Sequence, residues 1–248
     1  MKRFLILLFI FQNVFPQEIP LNVQKLMKVY PNQIVGYKEN KIIFSDKSTL
    51  IYDDFKNKNN QELIDNPDIE DQFRFVYSKI NKNSMPKKDP GRIRNEVFFK
   101  KIYGNSKSEV ESKLVDIIWC PKLVHQKIKV TTVNDIDKIV TKLSTELDQH
   151  PEFQKYIQNI GGTFNWRKIS GTNRLSMHSF GMTLDINIKK SNYWQWDCKC
   201  TNENATLSYR NQIPLKLVAI FEKYGFIWGG NWKHYDTMHF EFRPELLN

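Results

Sequence analysis

Two short segments near the carboxyl end, residues 182–188 and 237–242, alternate apolar and polar side chains with a period of two. Successive side chains of a strand point to opposite faces. Read as strands, the first turns Met182, Leu184, Ile186 and Ile188 into a core and Thr183, Asp185 and Asn187 away from it. The second buries Met238, Phe240 and Phe242 and leaves His239 and Glu241 on the other face. If the strands are neighbours, Asp185 and His239 share a surface. His178 approaches from the segment before Gly181, whose flexibility lets the chain turn back.

That would bring two imidazoles and one carboxylate to a common point. Zinc takes nitrogen and oxygen donors in a tetrahedron, and a catalytic zinc leaves its fourth position to water. Amide hydrolysis on such an ion also needs a base for the water proton. Asp236, three residues before His239, is the best placed candidate. A positive group must meet the developing oxyanion, and Arg167 is the candidate for that role. The helical His-Glu-x-x-His signature is absent.

The rest of the chain frames these residues. Residues 134–147 carry Ile136, Ile139, Val140, Leu143 and Leu147 at helical spacing, with Asn134 as the expected N-cap. Pro151 opens a second short helix through Ile157, and Gly161-Gly162 ends that unit. Pro214 and Gly225 bracket a further apolar stripe at a favourable start and stop. Residues 127–133 read as a strand, and residues 110–118 fit helix or strand. Upstream, residues 42–44 and 49–52 are short β-type runs, and residues 82–94 read as a loop with Pro86, Pro90 and Gly91. The mixture predicts an α+β fold, a small and mostly antiparallel sheet flanked by helices.

Lys2 and Arg3 precede an apolar run, residues 4–11, and then Pro16. This is the layout of a secretory signal, and the run is too short for a stable membrane span. The expected organisation is a signal peptide over residues 1–16, an accessory region over 17–114 and a catalytic domain over 115–248, in a secreted or cell-envelope protein. Of the three cysteines, Cys198 and Cys200 are close neighbours and poor partners for each other, so the expected bridge joins Cys120 to one of them. The 248 residues carry a net charge of +10. That surplus suits an anionic partner such as a cell-wall polymer, or is a solvated lysine-rich surface. No nucleic-acid motif accompanies it.

The run Ser176-Met177-His178-Ser179-Phe180-Gly181-Met182-Thr183-Leu184-Asp185 resembles the Ser-x-His-x-x-Gly-x-x-x-Asp motif of the D-alanyl-D-alanine carboxypeptidase and L-alanyl-D-glutamate peptidase family of zinc peptidases. Residues 225–232 and Asp236-Thr237-Met238-His239-Phe240-Glu241 resemble its second half. The resemblance covers roughly residues 115–248. It implies a hedgehog/D-Ala-D-Ala peptidase-like domain, zinc held by His178, Asp185 and His239, and Asp236 as catalytic acid/base. It further implies that Arg167 contacts substrate and that Ser176 bonds a substrate carboxylate or amide. The implied substrate is a peptidoglycan stem peptide, cut at L-Ala–D-Glu or at the terminal D-Ala–D-Ala; Asp at position 236 leans toward the internal bond. The rival is a zinc-holding wall-binding or signalling module without turnover.

Other residues carry two readings each. Arg174 assists substrate or forms a salt bridge. His234 reaches the pocket or lies exposed on a loop. Tyr193, Trp194 and Trp196 wall a cleft or pack together. Trp228 and Trp232 are expected to buttress the sheet. Glu241 is expected to hold a ligand imidazole and Arg243 to be structural.

Overall fold

The computed structural model describes residues 18–78 and 86–247. The expected signal peptide lies outside the described residues, as does part of the 82–94 loop. Helix α1 (Leu21–Val29) leads into an antiparallel meander of β1 (Ile34–Lys38), β2 (Lys41–Phe44) and β3 (Thr49–Ile51). Lys38 pairs with Lys41, and the intervening Glu39 and Asn40 both have positive φ, the tight hairpin turn that suits strand twist. The expected β-type runs are β2 and β3. The polar stretch that follows is organised by one ammonium: Lys58 Nζ lies 3.0 Å from Asp54, 2.9 Å from Asp68 and 2.5 Å from Asp71. Within that stretch Asn59 and Glu62 form a capping box for α2 (Asn60–Asp65).

Helix α3 (Glu96–Tyr103) starts at Asn95, whose side chain accepts from the Phe98 N–H, and α4 (Lys107–Glu111) starts at Ser106. The ambiguous 110–118 segment divides between the end of α4 and strand β4 (Leu114–Trp119), which pairs in a hairpin with β5 (Gln126–Thr131). Helix α5 (Ile136–Leu147) buries Ile136, Val140, Leu143 and Leu147, the expected stripe. Its start departs from expectation. Asn134 and Asp135 are both left-handed, and the buried Asn134 amide has no hydrogen-bond partner, so it caps nothing. The left-handed pair turns the chain sharply out of β5 and consumes the geometry an N-cap needs. Pro151 opens a short turn that continues as α6 (Gln154–Ile157).

The third sheet holds β6 (Thr183–Asp185), β7 (Phe226–Trp228) and β8 (His239–Phe242) in the order β6-β8-β7, antiparallel throughout. Between β6 and β7 come α7 (Trp194–Cys198) and α8 (Leu215–Lys223). Pro214 is the N-cap of α8, and Gly225 follows its end at φ 90°. Phe221 of α8 stacks on Phe240 of β8 at 3.9 Å between ring centroids. β6 is shorter than predicted. The Asn187 side chain caps a tight turn over Ile188–Lys190, which leaves Ile188 43% exposed instead of in the core.

One apolar core runs through both ends of the chain. It joins Val23, Leu26 and Tyr30 of α1 and Phe98 and Phe99 of α3 to Phe180, Phe221 and Phe240. Phe98 meets Tyr30 at 5.7 Å and Phe99 meets Phe180 at 6.0 Å. Burying each such ring contributes about 1.5–3 kcal/mol, so packing ties α3 to the core of the later segments. No helix among the described residues is long and apolar enough to cross a membrane.

The cysteine expectation is overturned. Cys198 and Cys200 are joined to each other, and Cys120 is a buried free thiol. Lys199 between them is left-handed at φ 53°, which folds the chain back and brings the two Cα atoms to 5.2 Å, inside the range a disulfide spans. Cys120 is held instead against α5, where its N–H donates to Ser144 Oγ at 2.6 Å. Burial pushes the Cys120 thiol up to about 12, so it stays protonated and inert near neutrality. Alkylation at pH 8 is expected to label no cysteine in the native unreduced protein, one after denaturation and three after reduction. Peptide mapping that finds the single label on Cys198 or Cys200 would restore the Cys120 bridge.

Candidate metal centre

The β6–β8 register sets Asp185 directly opposite His239, and Thr183 opposite Glu241. All four side chains therefore leave the sheet on one face, while Leu184 and Phe240 pass into the core. His178 arrives on a tight turn over Met177–Phe180, closed by Gly181 in the left-handed region at φ 66°. A Cβ on Gly181 would lie 2.6 Å from Leu114 Cδ2, so only glycine lets the turn lie against β4 and β5. The turn is stitched to residues 165–167: the Asn165 N–H donates to His178 O at 3.1 Å and the Ser176 N–H to Arg167 O at 2.9 Å.

The result is a close cluster. His178 Nε2 lies 3.0 Å from Asp185 Oδ2, and His239 Nδ1 lies 3.0 Å from Asp185 Oδ1. One donor atom from each residue lies within 4.8 Å of the others, a grouping that could hold a metal ion. The far nitrogen of each ring is committed elsewhere. His178 Nδ1 is 2.9 Å from Thr163 O and 2.8 Å from Thr183 Oγ1. His239 Nε2 is 3.3 Å from Glu241 Oε2. A carbonyl and a carboxylate can only accept, so with a cation among the inner nitrogens these partners would hold the ring protons on the far ones.

Two ring nitrogens thus face one carboxylate, donating to it when protonated and offering lone pairs beside it to a cation when not. Burial alone would raise the Asp185 carboxyl, yet the His178 and His239 rings beside it hold it well below the usual carboxylate range. Burial disfavours a charged His239, yet its bonds to Asp185 and Glu241 push it up to about 10. Such a site attracts a proton or a cation. Two imidazole nitrogens and a carboxylate, each imidazole backed by a hydrogen-bond acceptor, suit the donor preference of zinc.

Asp236 stands beside this cluster. Its N–H donates to Gly229 O at 3.0 Å and its carbonyl accepts from the His239 N–H at 3.2 Å. A Cβ on Gly229 would sit 2.5 Å from Asp236 O, so the approach requires glycine. The Asp236 Oδ1 atom is out of solvent and has no hydrogen-bond partner. Burial and the charge of Asp185 push this carboxyl up to about 7.

Ser176 is buried and begins the His178 turn. Arg167 is tied to the turn by its backbone, but its guanidinium is exposed and bonds only Lys168 O, at 3.5 Å. Among the described residues its guanidinium makes no hydrogen bond or ion pair with His178, Asp185 or His239. Arg174 pairs with Asp65 at 3.3 Å, the salt-bridge reading. His234 is neither exposed nor in the cluster. It is buried against Trp194 at 4.8 Å, with Nδ1 2.8 Å from Asp89 and Nε2 2.9 Å from Glu203 O. Trp194 is buried, whereas Trp196 is 55% exposed and packs edge-on to Tyr193, the residue bridged to Asp236. Trp228 donates to Thr237 O at 2.9 Å, and Trp232 lies 5.5 Å from the His239 ring, so both brace the metal strand.

Glu241 is fully buried, and Arg94, His239 and Arg243 outweigh its burial and hold it well below the usual carboxylate range. Arg94 escaped the sequence reading. It lies 147 positions from Glu241, in a stretch marked only by proline, glycine and lysine, and no local signal distinguishes it.

Incubated with zinc, the chain is expected to take up one ion by elemental analysis. At a hundredfold excess over Kd, that ion should add about 2.7 kcal/mol to the unfolding free energy. Asp185→Ala and His178→Ala are expected to lose both effects. Stoichiometric zinc retained by these variants would place the ion elsewhere.

Residues 170–242 match the family model described as D-alanyl-D-alanine carboxypeptidase. No curated protein and no solved structure matches the chain. The matched span contains Ser176, His178, Asp185, Asp236 and His239 and excludes Arg167 and everything before residue 170. The segment that carries the clustered histidines and aspartates is thus similar to the D-alanyl-D-alanine carboxypeptidase family model.

Proposed function

We propose that the chain is an exported zinc peptidase that hydrolyses an amide bond in peptidoglycan stem peptides. The observation that carries this reading is the convergence of His178 Nε2, Asp185 and His239 Nδ1 beside a buried carboxylate oxygen with no partner, Asp236 Oδ1. His178, Asp185 and His239 would hold the ion. Zinc bound there would supply a Lewis acid and a water acidic enough to attack at neutral pH.

The remaining work falls to the protein. Asp236 Oδ1 has no other bond to satisfy, so it takes the proton from the attacking water and returns it to the leaving amine. Thr163 O and Glu241 hold the ring protons on the outer nitrogens and so keep the inner lone pairs aimed inward. Arg167, anchored through its backbone to the His178 turn and with its guanidinium in solvent, swings onto the substrate and steadies the developing negative charge. Ser176 bonds a substrate carboxylate or amide at the start of the same turn.

Export is supported by the layout of residues 1–16 and by the Cys198–Cys200 disulfide, a bond that persists in oxidising compartments. The net charge of +10 suits an anionic wall. The scissile bond is the internal L-Ala–D-Glu or the terminal D-Ala–D-Ala, and the masses of muropeptide products separate the two.

With zinc present, wild-type protein is expected to cleave muropeptides. Asp236→Asn is expected to retain its zinc and lose at least about a hundredfold in kcat. Mass spectrometry and metal analysis on the same samples check this. Absence of cleavage by the wild type, or undiminished turnover by the variant, would sink the mechanism.

A further inference from the structure

Arg94 belongs to neither peptidase motif and lies in the segment expected to be accessory. Its guanidinium grips Glu241 with two prongs: Nη2 is 2.5 Å from Oε2, and Nε is 3.2 and 3.1 Å from Oε1 and Oε2. The same group lies over the Trp232 ring at 5.4 Å, and that ring in turn lies against His239. Arg243 reaches Glu241 Oε1 at 3.1 Å. So held, Glu241 presents Oε2 to His239 Nε2 at 3.3 Å, and the other ring nitrogen, Nδ1, faces Asp185 at 3.0 Å.

The helix that starts beside Arg94 also braces the other histidine. Glu96 Oε2 accepts the Leu175 N–H at 2.8 Å, and Phe99 packs on Phe180. Leu175 and Phe180 flank His178 on either side. The Asn95 amide, bonded to Pro67 O at 2.8 Å and to Phe98 N–H at 2.8 Å, locks this junction to the region before it.

Resting on the metal-centre reading, we propose that Arg94 is a positioning residue for the metal: by gripping Glu241 it sets the His239 imidazole, and with it the affinity of the site. The upstream region then contributes a working part of the metal centre.

The test is zinc affinity in the full chain, measured by competition with a chromophoric chelator, with melting temperature and circular dichroism followed in parallel. Arg94→Met and Glu241→Gln are each expected to weaken zinc ten- to hundredfold, the usual cost of losing a partner behind a ligand. The double variant is expected to be no weaker than Glu241→Gln alone, because both changes break one chain of contacts. Arg94→Lys keeps the charge and loses the fork, and its affinity is expected to fall between wild type and Arg94→Met. If Arg94→Met does not fold, Arg94→Lys replaces it in the cycle. Wild-type affinity in the Arg94 variant, with only the melting temperature lowered, would make Arg94 structural and overturn the proposal. Additive losses in the double variant would overturn it as well. A wild-type chain that takes up no zinc would bring down the metal-centre reading and this proposal together, an outcome distinct from failure of Arg94 alone.

Discussion

Asp185 accepts from two directions at once, and most of what surrounds it exists to keep that arrangement. Its two oxygens each lie 3.0 Å from a ring nitrogen, one from a tight turn and one from the paired strand. The ring nitrogens either donate protons to it or, once those are lost, share a cation with it. The antiparallel register supplies one contact, since Asp185 and His239 are direct partners across the sheet. The Gly181 turn supplies the other. A slip of one residue in β8 would send His239 into the core and Phe240 onto the metal face, so the packing of Phe221 on Phe240 also protects the site.

Behind His239 runs a line of buried charge. Glu241 meets Arg94 and Arg243, Arg243 meets Glu245 and lies over the Phe99 ring at 4.9 Å, and the Tyr30 hydroxyl donates to Glu245 at 3.2 Å. Signs alternate along it. Buried ion pairs of this kind recover their desolvation cost poorly and are weak evidence for stability. Their effect here is directional: they hold one carboxylate ionised at one spot, against the ring that must present its other nitrogen inward. The line starts at Tyr30, the C-cap of α1, and passes Phe99 of α3, so the helices that share the core with the segment 170–242 also share its electrostatics.

Local pattern made part of this readable from sequence. Alternation in residues 182–188 and 237–242 pointed to the facing strands and put Asp185 and His239 on one surface, while the motif resemblance, more than spacing, pointed to His178, Asp185, Asp236 and His239 as a set. Helices α5 and α8 announced themselves by their apolar stripes. What escaped depends on backbone details or on long separations. Asn134 looked like a cap, but a left-handed pair at the start of α5 spent it on a turn. Cys198 and Cys200 looked too close to pair, but left-handed Lys199 folds them together. His234 carried no mark of its burial, because Asp89 and Glu203 come to it from 145 and 31 positions away. Arg167 matched the motif, whereas its guanidinium points to solvent; its role depends on a substrate the sequence does not contain.

The most direct measurement is anomalous diffraction at the zinc edge from crystals of the full chain grown with zinc. The account predicts one strong peak among His178 Nε2, Asp185 and His239 Nδ1, with ligand distances of about 2.0–2.2 Å and Glu241 still bonded to His239 Nε2. A peak bound through His239 Nε2 with Glu241 displaced, or no peak between these three side chains, would contradict it.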